Sequence, residues 1–213
     1  MTRQPDDFLI NHYRSLFHYH GPNYRAVQWS STDAQIGRFS VLSELVHSSY
    51  AVMDVGCGLG DLLNYLRYEK EFTGRYLGLD FVPEFIDYAR ERTVTDRQAS
   101  FEIFDARYEG FPQGYDAVLI SGIFNNFVMP ADAQLQWIQN TIKRAFSAAR
   151  VGVAFNSLSS IMPHRECELY YSDPGQMFSW CVKHVTSNLT LRHDYSDAGK
   201  PDIPIDYTII LRK

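Results

Sequence analysis

The sequence has few of the features that mark secreted, membrane-spanning or metal-binding proteins. Its 213 residues include three cysteines, whose odd number and wide spacing argue against a disulfide framework and favour a reducing compartment. No apolar run approaches the roughly 20 residues that a membrane span requires, and the opening MTRQPDDFLI lacks the apolar stretch of a signal peptide. His12, His18 and His20 lie close together, but no carboxylate or cysteine cluster completes a metal site. We therefore expect a cytoplasmic protein without a metal.

Positive charge is also scarce. There are 20 Lys and Arg against 25 Asp and Glu, a formal net charge of −5, and no basic run. Proteins that bind nucleic acids neutralise phosphates with a basic patch. A nucleic-acid partner is therefore not expected, although an acidic protein can still carry a local basic stripe.

The distribution of apolar residues predicts an α/β fold. From Tyr50 onward, short apolar runs alternate with segments of helical period, which is typical of parallel strands buried on both faces by helices. Two β-rich runs near the end, 188–194 and 206–211, have no helix between them and predict an antiparallel pair at the sheet edge. The sequence thus indicates a doubly wound, mostly parallel sheet with an antiparallel end.

The first 49 residues have a different pattern. Helical periods run from Pro5 to Tyr19 and again from Thr32, where Thr32 and Gln35 fit a capping box. We expect residues 1–49 to form an N-terminal helical cap or lid, and residues 50–213 to form one compact α/β unit.

The strongest local signal follows the first predicted strand. The strand ends at Asp54, and the chain then turns through three alternating glycines, Gly56, Gly58 and Gly60, with Cys57 among them. Glycines permit positive φ and let a ligand lie against the backbone. In a doubly wound sheet this position is the crevice where cofactors bind.

Two classes of cofactor compete for such a loop. The dinucleotide fingerprint G-x-G-x-x-G would place its third glycine at position 61, which is Asp61, and a carboxylate there repels pyrophosphate. S-adenosylmethionine carries an ammonium, a carboxylate and a sulfonium but no phosphate, so acidic residues are compatible with it. The loop therefore favours the sulfonium cofactor.

Acidic residues also follow the next two strands. Asp80, followed by Phe81, can accept both ribose hydroxyls, a role that both classes of cofactor share. Asp105 can accept a hydrogen bond from an adenine amine, and the amide of Ala106 can donate one to a ring nitrogen. These residues extend the predicted cofactor site.

In these motifs the chain resembles the class I S-adenosylmethionine-dependent methyltransferase superfamily, over about two thirds of its length from Ala51 onward. The resemblance implies a Rossmann-like, seven-stranded sheet with an antiparallel last strand, and an enzyme that converts S-adenosylmethionine to S-adenosylhomocysteine. It also implies that the fourth strand passes under the cofactor. The residues that match the family motifs, or that lie next to them in the predicted cofactor site, are Asp54, Gly56, Cys57, Gly58, Gly60, Asp80, Phe81, Asp105, Ala106, Ser121 and Gly122.

Residues for methyl transfer should lie where later strands end. A nucleophile that starts protonated needs a base or loses its proton to solvent. His193 and Tyr195 close the sixth strand and are candidates for catalysis, although such a histidine is often a packed edge residue. Asn125 is a third candidate, with the alternative that it caps the following turn.

The acceptor is expected to be a nucleophilic O or N atom of a small molecule, bound by a monomer or homodimer. The segment after the fourth strand, SGIFNNF, lacks the Asn-Pro-Pro-aromatic tetrapeptide of many nucleobase-amino and glutamine methyltransferases. Methylation of RNA or protein, or non-catalytic cofactor binding, remain alternatives. The candidate substrate-binding residues are Trp29, Arg38, Asn126, Asn156 and Tyr170.

Overall fold

The protein is built on a single seven-stranded sheet. The computed structural model describes residues 6–161, 165–195 and 205–213, with Asp6 and Asp7 described by backbone alone. The strands are β1 (Val52–Val55), β2 (Tyr76–Asp80), β3 (Ala99–Ile103), β4 (Tyr115–Ile120), β5 (Ala149–Leu158), β6 (Leu189–Arg192) and β7 (Asp206–Arg212). Their order is β3-β2-β1-β4-β5-β7-β6.

Strand directions follow the prediction from the sequence. The first five strands pair in parallel, and β7 runs antiparallel to both β5 and β6. The predicted doubly wound sheet with an antiparallel last strand is therefore confirmed. The strand order reverses between β1 and β4, which opens a crevice at their carboxyl ends.

Six helices surround this sheet in the described residues. They are α1 (Asp6–His20), α2 (Thr32–Leu42), α3 (Asp61–Glu69), α4 (Pro83–Arg92), α5 (Ala131–Ala148) and α6 (Pro174–His184). No helix in the described ranges is long and apolar enough to cross a membrane.

The start of α2 differs from the expected capping box. Ser31 is the N-cap, with extended backbone, and its hydroxyl accepts from the Ala34 amide at 3.0 Å. Thr32 already lies within the helix, and the Gln35 side chain donates to Asp61 at 3.4 Å. The prediction of a Thr32–Gln35 box was wrong by one residue, because the preceding serine offers the same hydroxyl from the position where the backbone is still extended.

Each face of the sheet has its own apolar core. On one face α5 packs with Trp137 and Ile142 against strand residues such as Val118. On the other face Phe39 and Leu42 of α2 pack with α3 and α4. The second helix of the predicted cap thus belongs to the layer that covers the sheet.

The segment that lies over the crevice is therefore shorter than the predicted cap. We call residues 6–31, comprising α1 and the loop that follows it, the roof. The roof rests on α4, where Tyr13 and Phe17 form edge contacts with the ring of Phe85 at 5.9 and 5.7 Å. Arg14 and Glu84 add an ion pair between the two helices.

We predict that Gly152→Ala destabilises the protein by about 1–3 kcal/mol, the usual cost of forcing extra atoms into a packed region. A Cβ at Gly152 would lie 2.0 Å from the Leu211 carbonyl oxygen and would push β5 away from β7. Urea denaturation measures the change in the free energy of unfolding. Gly110→Ala is the matched control, since no atom lies within 4 Å of its added Cβ. Equal stability of the two variants would contradict this account of the strand pair.

Candidate active site

A cavity of about 780 Å³ opens at the carboxyl ends of β1, β2 and β4, under the roof. Its size is in the usual range for cofactor and ligand pockets. The sequence-predicted site residues that line it are Trp29, Arg38, Asp54, Gly56, Cys57, Gly58, Asp80, Phe81, Asp105, Ala106, Ser121, Gly122, Asn125 and Asn126.

The glycine loop needs its glycines for both conformation and space. Gly56, Gly58 and Gly60 have φ of +79°, +52° and +78°, which L side chains adopt with strain. A Cβ at Gly56 would lie 2.1 Å from the Ile123 side chain. Gly60 caps α3 and does not line the cavity; a Cβ there would meet the Phe101 ring at 3.2 Å. Its place in the loop is thus accounted for by the backbone turn and packing.

Asp80 links the end of β2 to this loop. Its buried carboxylate accepts from the backbone amides of Gly58 and Val82, both at 2.9 Å. Burial raises the pKa of Asp80 to about 6, against these hydrogen bonds, which stabilise the charged form. Asp80 lines the cavity at the position where the sequence predicts the ribose-binding acid.

Asp54 is a second buried acid beside the loop. It accepts from the Tyr76 hydroxyl, and burial raises its pKa to about 7, with further contributions from the charges of Asp80 and Asp61. Within the described residues, neither Asp54 nor Asp80 forms an ion pair. Two uncompensated buried carboxylates next to the glycine loop suit a cationic ligand and oppose a pyrophosphate. The residues present therefore fit the sulfonium and ammonium groups of S-adenosylmethionine.

The predicted adenine contacts lie beside an arginine. Both carboxylate oxygens of Asp105 accept from the Arg107 guanidinium, at 2.8 and 3.0 Å from Nε, and Arg107 lies 5.7 Å from the centre of the Phe81 ring. The Arg107 backbone amide also donates to Asp105, at 2.9 Å, so Arg107 occupies both carboxylate oxygens and an adenine amine would have to compete with it for them. The neighbouring Ala106 also lines the cavity.

The turn after β4 lies against the roof. Gly122 has φ of +77°, and a Cβ there would lie 3.3 Å from the Trp29 ring. The Arg38 guanidinium stacks on Trp29 at 4.6 Å and forms an ion pair with the buried Asp206. Asn156 lies beneath the turn, outside the cavity lining, where its side-chain oxygen accepts from the Gly122 amide at 2.8 Å.

The two asparagines after β4 serve as connectors. The Asn125 side-chain oxygen accepts from the Leu158 amide at 3.1 Å, and its backbone oxygen accepts from the Tyr170 amide at 2.9 Å. The Asn126 amide donates to the Tyr13 hydroxyl at 2.7 Å. Tyr170 packs against Phe127 and does not line the cavity. Both asparagines line the cavity, but the hydrogen bonds of their side chains go to the protein itself.

The structure does not bring His193 and Tyr195 to the cavity. They follow β6, the edge strand beyond β7, and neither lines the cavity. The Tyr195 hydroxyl is hydrogen-bonded to Thr208 at 2.7 Å, and the ring of His193 lies 6.5 Å from that of Tyr207. The geometry therefore gives the predicted catalytic pair no route to a substrate in this cavity, and we do not propose them as catalytic residues.

Several lining residues escaped the sequence analysis. His12, Tyr13 and Gln28 of the roof line the cavity, as does Glu168. Glu166, in the stretch from Ser157 to Tyr171 that the sequence suggests as a second wall, lines it as well. The aromatic spacing of α1 was visible in the sequence, but no motif places this helix over a particular strand. Within the described ranges, no group of three His, Cys, Asp or Glu residues is arranged to hold a metal ion.

Comparison with known proteins agrees with this geometry. Residues 46–193 match a protein family described as a methyltransferase domain. A Mycobacterium tuberculosis protein named as methyltransferase Rv1506c is 32% identical over 169 residues, covering 77% of this chain and 93% of that protein.

Solved structures share the fold. Magnesium protoporphyrin IX methyltransferase from Synechocystis, with bound S-adenosylmethionine, has a TM-score of 0.65 at 14% identity and covers 99% of this chain and 98% of its own. Phosphoethanolamine N-methyltransferase 1 from Haemonchus contortus has a TM-score of 0.69 at 14% identity, covering 98% of this chain and 49% of its own.

The chain therefore belongs to the methyltransferase domain family and is an S-adenosylmethionine-dependent methyltransferase. The cofactor expected from the glycine loop and the resemblance to class I enzymes are both confirmed by these relatives.

We predict that pH affects cofactor affinity and the stability of the cofactor-free protein in opposite directions. The folded-state pKa of Asp54, about 7, and of Asp80, about 6, exceed the ordinary value near 3.9, so the folded protein binds protons more tightly than the unfolded chain. Their contribution to stability is present at low pH and is lost as pH rises through about 7. A cationic cofactor prefers the ionised acids, so its affinity should rise from pH 5.5 to pH 8.

Calorimetric titration with S-adenosylmethionine and thermal unfolding across this pH range measure both trends. Asp54→Asn keeps an acceptor for Tyr76 but removes the titration, and should flatten the rise in affinity above pH 6.5. An affinity that is constant or falls with pH in the wild-type protein would show that these carboxylates do not face the cationic groups.

Proposed function

We propose that this enzyme transfers the methyl group of S-adenosylmethionine to a nucleophilic O or N atom of a small molecule. The observation that carries the proposal is the cavity, which continues past the cofactor-binding motifs but is covered by the roof. Its further wall is formed by side chains from three segments, namely Phe127, Leu158, Glu166, Glu168 and Leu169. A covered pocket of this kind accommodates a small molecule more readily than a folded RNA or protein.

The charges that line the cavity do not favour a polyanion such as RNA as the acceptor. Arg38 is paired with Asp206 and Arg107 with Asp105, so these cations are already compensated. The exposed Arg25 at the rim lies over the Tyr24 ring. Because acids outnumber bases along the lining, a phosphate backbone gains little here. This distribution favours a small molecule over RNA.

Two structural neighbours carry the names of small acceptors, a magnesium porphyrin and phosphoethanolamine. At 14% identity they share the fold alone, so we take the class of acceptor from the cavity of this chain. A basic peptide that reaches the mouth near Glu166 and Glu168 is the second candidate, since these exposed acids would attract it.

The cofactor supplies an electrophilic methyl group on a sulfonium, and the protein orients the acceptor for in-line displacement. In this proposal Asp80 binds the ribose hydroxyls and Asp54 compensates the positive charge. Trp29, which lies over the turn after β4, excludes water from the reacting end. We assign no general base.

We also propose that the protein works in the cytoplasm, as a monomer or homodimer. Its three cysteines are all free: Cys57 and Cys181 are buried and Cys167 is exposed. An exposed free thiol is compatible with a reducing compartment.

The acceptor class is tested with methyl-labelled S-adenosylmethionine and cell extract, separated into small-molecule, protein and RNA fractions. We expect label in the small-molecule fraction. Label confined to protein or RNA would overturn the proposed class, and cofactor binding without any transfer would support a non-catalytic module.

We predict that Asp80→Ala reduces cofactor affinity by about two orders of magnitude, because several hydrogen bonds to a carboxylate are lost together. Calorimetric titration measures the affinity. Asp87→Ala on α4 is the matched control, since this carboxylate is exposed and pairs only loosely with Arg90 at 3.5 Å. An unchanged affinity in Asp80→Ala would remove Asp80 from the cofactor site.

A further inference from the structure

The roof is attached along two sides that differ in chemistry. On the side of α4 the contacts are mainly aromatic: the ring of Tyr13 meets Phe81 and Phe85, and that of Phe17 meets Phe85 and Tyr88, with centroid separations of 5.7–6.1 Å. One ion pair, between the partly exposed Arg14 and Glu84, accompanies them. Each edge-to-face ring contact is individually weak, so the rings can shift against one another while they stay packed. This side is suited to act as a hinge.

On the side of β4, hydrogen bonds converge on one residue. The Asn126 amide donates to the Tyr13 hydroxyl at 2.7 Å and to the Gln28 side-chain oxygen at 3.2 Å. The Gln28 amide is therefore oriented with its nitrogen toward His12, 3.0 Å from the ring Nε2, which must accept. Asn126 thus joins both parts of the roof, α1 and the loop, to the segment that follows β4.

The backbone at Gln28 is in a conformation that its side chain disfavours. Its φ is +59°, in the left-handed region that non-glycine residues seldom occupy. The next residue is Trp29, whose ring lies over Gly122. The two side-chain hydrogen bonds of Gln28 offset the strain and hold Trp29 over the turn after β4.

From this arrangement we propose that Asn126 and Gln28 form a latch that holds the roof closed over the bound cofactor. They are positioning residues, because they act on the reacting end through Trp29. Opening of the latch lets the roof turn on its aromatic contacts with α4, and so sets how fast the product S-adenosylhomocysteine leaves. This proposal depends on the binding of S-adenosylhomocysteine and does not depend on which acceptor is methylated.

The test is the rate of S-adenosylhomocysteine release, followed in a stopped-flow instrument by tryptophan fluorescence after mixing with excess S-adenosylmethionine. Asn126→Leu keeps the size of the side chain and removes both donated hydrogen bonds. We expect release to be faster by about fivefold or more, with little change in the thermal midpoint. Asn140→Leu, on the exposed face of α5, is the matched control and should release at the wild-type rate.

A second pair of variants separates a latch from a general loss of stability. Tyr13→Phe keeps the aromatic hinge and removes one hydrogen bond, while Tyr19→Phe alters an exposed tyrosine of the same helix. If Asn126 and Gln28 act through the same contact, either change alone opens the latch. The double variant Asn126→Leu with Gln28→Gly should then release the product no faster than Asn126→Leu alone. Additive effects, or a wild-type release rate in both Asn126→Leu and Tyr13→Phe, would overturn the proposal. If Asn126→Leu does not fold, Tyr13→Phe against Tyr19→Phe decides it.

Discussion

The hydrogen bond from the Gly58 amide to the Asp80 carboxylate is the contact on which the site depends. It joins the loop after β1 to the end of β2, and so fixes the glycine loop relative to the carboxylate expected to hold the ribose. Asp80 is buried, as is the neighbouring Asp54. Neither acid has a cationic partner among the residues that the structure describes, and such burial costs free energy in the cofactor-free protein. The same arrangement favours a cationic ligand, and on our proposal the loop therefore selects a sulfonium nucleoside by charge as well as by shape.

Much of the cofactor site could be predicted because it is local in the chain. Near the place where the strand order reverses, a parallel strand that is followed by a helix places its last residue in the crevice. Asp54 lies near the end of β1 with the glycine loop after it, Asp80 ends β2, and Asp105 follows β3. The residues at each strand end were therefore sufficient to predict the site. The antiparallel closing pair was likewise visible, since the sequence between the two β-rich runs is rich in Gly, Pro and Asp and predicts no helix.

The rest of the site depends on contacts between distant segments. His193 was expected at the crevice because it follows a strand, but β7 inserts between β5 and β6 and carries that strand end away. Asn126 and Tyr13 are hydrogen-bonded although 113 residues separate them. No pattern within either segment reports that contact. Even the N-cap of α2 differs from the prediction by one residue. Ser31 and Thr32 both carry a hydroxyl that can cap a helix, and only the backbone conformation distinguishes them.

The roof and the buried acids impose opposite requirements. On our proposal Asp54 compensates the positive charge of the cofactor, and this interaction is strongest when water is excluded, since a low local dielectric strengthens it. Turnover nevertheless requires the cavity to open for each exchange of cofactor. If the whole rim were closed by apolar contacts, each opening would expose apolar surface to water. A few hydrogen bonds can break without that exposure. On our proposal this explains why the roof meets α4 mainly through aromatic rings, with one ion pair at Arg14, but meets the segment after β4 through the amides of Asn126 and Gln28.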